Sequence, residues 1–98
     1  MARVWRFDIW RSLERIESFE LPAHRFTERG IQECLRALAA KAQNLTYEEI
    51  AFSVMNRRKG GPEAGHLLDV DYEAIVGKRC SVYSCGHNSW VTATISWD

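Results

Sequence analysis

Residues Thr27 to Ala42 limit what this chain can fold into more than any other stretch. Ile31, Cys34, Leu35, Leu38 and Ala42 recur at the spacing of one helix face, with Ala39 at its edge, while Arg29, Gln32, Glu33 and Arg36 fall on the far side. Thr27 is a competent N-cap, Glu28 suits the positive end of the helix dipole, and Asn44 can end the helix in a left-handed conformation. A helix over 27–42 is a rod of roughly 24 Å, long enough to cover one face of a small sheet.

The rest of the chain supplies that sheet. In residues 3–11, Trp5, Phe7 and Ile9 alternate with Val4, Arg6, Asp8 and Trp10, which predicts a strand with one face on the core. Ser12-Leu13-Glu14 reads as a turn into a second strand over 15–21, which Pro22 stops. Residues 46–56 fit two patterns. Thr46-Tyr47-Glu48-Glu49 matches a capping box, yet Ile50, Phe52 and Val54 alternate with Glu49, Ala51 and Ser53, and the Phe, Val, Ile and Tyr content favours a strand. Residues 57–65 read as a loop, since Gly60-Gly61-Pro62 lies at their centre. Leu68, Val70, Tyr72 and Ala74 alternate with Asp69, Asp71 and Glu73, and segments 79–84 and 89–97 form a closing hairpin. In that last strand Val91, Ala93, Ile95 and Trp97 share a face opposite Trp90, Thr92, Thr94 and Ser96.

The pattern is that of an α+β fold: an antiparallel sheet of five to six strands with one long amphipathic helix (27–42) packed on one face. Ninety-eight residues make a single globular domain, 1–98, whose 46% apolar content is enough for a core without disulfides or a metal. The three cysteines, Cys34, Cys80 and Cys85, are odd in number and lack a framework spacing, so reduced thiols are expected. Met1 leads directly into a strand bearing arginines, and no apolar run approaches the length of a membrane span. The expected location is therefore cytoplasmic, without membrane association.

Composition also narrows the function. Thirteen Lys and Arg balance thirteen Asp and Glu, so no overall field draws the chain to nucleic acid or an anionic membrane, and nothing opposes self-association. No motif requires catalysis or a cofactor, and a non-enzymatic role is expected. Cys80, Cys85 and His87 offer ligand types that zinc accepts, but at a spacing unlike that of structural zinc sites, and no fourth ligand lies at a familiar distance. Cys85 and His87 also have the separation of a nucleophile and its base on one strand face, with nothing to orient the histidine. Arg57, Arg58 and Lys59, beside glycines, form the one basic cluster that could touch phosphates, which makes a nucleic-acid accessory protein the alternative function.

The tryptophans carry the main functional expectation. Of four, Trp5 and Trp97 belong to core faces by alternation, whereas Trp10 and Trp90 fall on the opposite faces. A helix on one side only leaves that pair at least partly exposed, and exposed aromatics beside arginine are the composition of binding hot spots. The sequence therefore predicts a small non-catalytic interaction protein of inhibitor, regulatory or accessory type. Its aromatic sheet face, around Trp10, Trp90, Tyr83 and Arg6, would bind a protein partner or a second copy of the chain.

Overall fold

The computed structural model describes residues 3–59 and 65–98. Among them, five strands form one antiparallel sheet: β1 (Val4–Arg11), β2 (Glu14–Pro22), β3 (Val70–Ile75), β4 (Cys80–Gly86) and β5 (Ser89–Ser96), in the order β2-β1-β5-β4-β3. Two helices accompany it, α1 (Glu28–Ala42) and α2 (Tyr47–Lys59). The last strand in sequence thus occupies the centre, pairing with β1 on one side and β4 on the other.

Helix α1 begins where its cap dictates. The Thr27 hydroxyl accepts a hydrogen bond from the Gly30 N–H at 3.0 Å, meeting one of the donors that a helix start leaves without a partner. Beyond its end, Asn44 takes a positive φ of 53°, the left-handed conformation that its side chain tolerates. Ile31, Leu35, Ala39 and Ala40 are buried on the sheet, with Cys34, Leu38 and Ala42 partly buried beside them. From the sheet come Trp5, Phe7, Ile9, Tyr83, Cys85, Val91, Ala93 and Ile95, which complete the core together with Leu68. Phe7 stacks on Phe19 of β2 with ring centroids 5.1 Å apart.

Segment 46–56 is helical, which corrects the strand expectation. The capping box closes in both directions: the Glu49 N–H donates to Thr46 Oγ1 at 3.1 Å, and the Thr46 N–H donates to Glu49 Oε1 at 2.9 Å. These two bonds outweigh the β-branched and aromatic content of the segment, because a helix satisfies the backbone locally. Phe52, on the apolar side of the expected strand, is 49% exposed, whereas Ile50 packs at the core's margin and Ser53 is buried. Arg57, Arg58 and Lys59, expected in a loop, have their backbone in the last turn of α2. Their side chains, and the rest of the expected loop at 60–64, lie outside the described residues.

Two further expectations change. Leu68 belongs to a 3-10 turn (Gly65–Leu68) before β3, although it is buried as expected. Trp97 is 37% exposed and follows β5, its indole N–H donating to Ser81 Oγ at 2.7 Å, so it fringes the core where the helix no longer covers the sheet.

Candidate interaction face

With α1 on one side, among the described residues no helix packs on the other side of the sheet. The strand register arranges that open face in rows across the strands. At one end, Arg15, Trp10, Trp90 and Gly86 lie side by side from β2 to β4. The next row is Ser18, Asp8, Thr92, Ser84 and Asp71, and the third is Glu20, Arg6, Thr94, Val82 and Glu73. At the far end, Pro22 and Val4 are paired on one flank and Ser96, Cys80 and Ile75 on the other.

Trp10 and Trp90 form the prominent feature of the face. Their rings stack at 5.2 Å between centroids and 13° between planes, the near-parallel arrangement that two large π-systems adopt when offset. Trp10 donates its indole N–H to Thr92 Oγ1 at 3.2 Å, and Trp90 donates to the Ser12 carbonyl at 2.9 Å, so each ring is held at both its edge and its face. Local backbone geometry sets the pair. A register shift between Ile9 and Trp10 skips Ile16 and places Arg15 opposite Trp10. Gly86, opposite Trp90, has φ of 112°, and a Cβ there would lie 2.6 Å from the Ser89 carbonyl oxygen and 2.9 Å from Trp90 Cα. Only glycine satisfies both constraints. The two neighbouring turns are tied together by the Ser12 N–H, which donates to the Asn88 carbonyl at 2.7 Å.

Beside the tryptophans lies an acid. The Asp8 side chain is only 3% exposed on a face that no other layer of the described residues covers, because its own neighbours close over it. Arg6 donates through Nε to Oδ2 at 3.1 Å, and Arg15 Nη1 stands 3.6 Å from Oδ1. The second distance is an ion pair beyond hydrogen-bond reach, which leaves Oδ1 buried with no hydrogen-bond partner among the described residues. Both arginine side chains are about half exposed, at 52% and 54%. The face therefore joins a stacked aromatic pair, two anchored arginines, a buried carboxylate and a ladder of hydroxyls.

The expected site residues separate accordingly. Trp10, Trp90 and Arg6 lie together on the open face, and Arg15, Asp8 and Thr92 join them, residues that alternation alone did not single out. Tyr83 lies on the helix side, a correction to its expected place with Trp10 and Trp90. Its register partner is the core residue Ala93, and it is only 5% exposed. The sequence Cys80-Ser81-Val82-Tyr83-Ser84-Cys85 mixes small polar and apolar residues without a clear alternation, so the parity of β4 is fixed by its pairing with β5. Tyr83 packs against Tyr72 and Trp5 and donates its hydroxyl to Glu28 Oε1 at 2.6 Å. Burial, with that bond to an anionic acceptor, pushes its phenol up to about 12. A cleft of about 310 Å³ opens there, between the start of α1 and strands β3 and β4.

Cys80, Cys85 and His87 do not converge. Cys80 pairs with Ser96 and Cys85 with Val91, five positions apart on one strand, so the thiols face opposite sides of the sheet about 17 Å apart along it. Cys85 is 2% exposed within the core, whereas His87 is exposed in the turn beyond Gly86, so the two do not form a nucleophile and base open to a substrate. Among the described residues no group of three His, Cys, Asp or Glu side chains is placed to hold a metal ion. Burial pushes the Cys34 thiol up, in keeping with its place beside the core. No described helix is long and apolar enough to cross a membrane. Compared with protein-family models, curated proteins and solved structures, the chain matches none.

Proposed function

We propose that this chain is a small non-catalytic interaction protein, of inhibitor, regulatory or accessory type, that binds another protein chain through the open face of its sheet. One observation carries the reading: the face without a helix bears the Trp10–Trp90 stack beside a buried acid whose Oδ1 has no hydrogen bond. Aromatic rings with little freedom to move present contact area at small entropic cost, and half-exposed arginines beside them add directional donors. A surface that had only to face water would need neither the indole pair nor a desolvated carboxylate.

A photo-crosslinking residue placed at Thr94 or Val82, near the middle of the face, tests this. The expected outcome in cells of the source organism is a discrete adduct from both positions, lost when Trp10 and Trp90 are both replaced by Ala. A control position at Glu48 on α2 should give none. Adducts no stronger from the face than from Glu48 would end the reading.

A further inference from the structure

The open face is complementary to itself when turned about its central strand. We infer that its partner is a second copy of this chain, packed sheet on sheet about a two-fold axis running along β5. This rests on the reading of that face as an interaction surface and names what occupies it. A two-fold axis parallel to the strands keeps each row at its height and reverses the strand order. It therefore sets β2 of one copy over β3 of the other, β1 over β4, and β5 over β5.

The rows then match by charge, shape and polarity. Arg15 lies over the acidic edge formed by Asp69 and Asp71, which flank Val70, a partly buried residue packed against the core. Trp10 lies over Gly86, the position in its row with no side chain. Asp8, beneath the Arg6 and Arg15 side chains that cover it, lies over the small polar Ser84. Pro22 and Val4 lie over Ile75 and Cys80, apolar on apolar. Like charges meet at Glu20 and Glu73, where Arg6 is the cation next to Glu20 in the same row. An axis across the strands would instead oppose Asp71 to Glu73 and set Arg15 on Pro22.

Aligned sheets cross at about 30°, which displaces a corner side chain by about 7 Å, a distance that an arginine can span to Asp69 or Asp71. Five strands of about seven residues present a face of roughly 550 Å² per copy, so two copies together come near the lower limit of about 1,200 Å² for specific interfaces. The association is accordingly concentration-dependent, and a chain of balanced charge does not oppose it.

Sedimentation velocity and native mass spectrometry over a concentration series test the inference on three chains: the natural one, Arg15→Glu combined with Asp8→Asn so that the new carboxylate does not meet the buried one, and Asp69→Lys combined with Asp71→Lys. The natural chain should pass from monomer to dimer. Each variant alone opposes like charges twice and should associate about tenfold more weakly or worse. An equimolar mixture of the two variants should recover dimer as the mixed pair, because both contacts then join opposite charges. Thr94→Arg, which brings two cations together at the axis without touching the core, should also abolish the dimer, and circular dichroism should report an intact fold for every variant. A natural chain that stays monomeric at its highest soluble concentration overturns the inference, as does a dimer indifferent to these changes or a mixture that fails to associate. A monomer that still crosslinks from Thr94 to some other protein overturns self-association alone and leaves the interaction reading standing.

Discussion

Gly86 fixes more than its own turn. With φ of 112° and backbone atoms 2.6 and 2.9 Å from where a Cβ would sit, it cannot accept a side chain without moving Ser89 or Trp90. Gly86→Ala should therefore destabilise the fold by more than about 1 kcal/mol, measured by denaturant unfolding. It should also weaken the exciton signature of the paired indoles in circular dichroism, because Trp90 is the residue displaced. Tyr83 makes a separate prediction on the helix side. Its phenol ionises at about 12 in the folded chain against 10.0 for an ordinary tyrosine. The folded state therefore holds the proton more tightly. The associated stability is fully present below pH 10 and is lost as pH rises towards 12. Thermal unfolding across that window should show a steeper decline for the natural chain than for Tyr83→Phe, and equal slopes would contradict the burial of the hydroxyl against Glu28.

At the level of elements, α1 and α2 show two ways in which sequence meets structure. Every device read in α1, from the Thr27 cap through the apolar stripe to Asn44, operates in the fold, because its periodicity and its ends agree. Leu35 is fully buried at the centre of that stripe, so Leu35→Ala should cost about 2–5 kcal/mol in chemical denaturation, with the larger value expected if the sheet cannot relax into the space. In α2 the signals conflict: two hydrogen bonds at the Thr46–Glu49 cap favour the helix, against the alternation of Ile50, Phe52 and Val54. The hairpin strands were legible where charged and apolar residues alternate, as in β1 and β3. They were not legible in β4, where serines and cysteines leave the facing of Tyr83 to be decided by a partner strand far along the chain. The same limit applies to the candidate face. Trp10, Trp90 and Arg6 follow from alternation in single strands, but the contacts of Asp8 with Arg15 and of Trp10 with Thr92 depend on a register shift and on β1–β5 pairing that no local pattern encodes.

At the scale of the whole fold, the central strand of the sheet is the last of the five described strands in sequence. Until β5 is in place, β1 with β2 and β3 with β4 are two separate hairpins, each of a kind only marginally stable alone in water. Helix α1 rests mainly on β5 and β4, so it too lacks part of its support until then. During synthesis on the ribosome, the chain therefore cannot assemble its sheet piece by piece as it emerges. Its folding is gated by release of residues 89–96 from the exit tunnel, and until that moment the apolar stripe of α1 is open to chaperones and proteases.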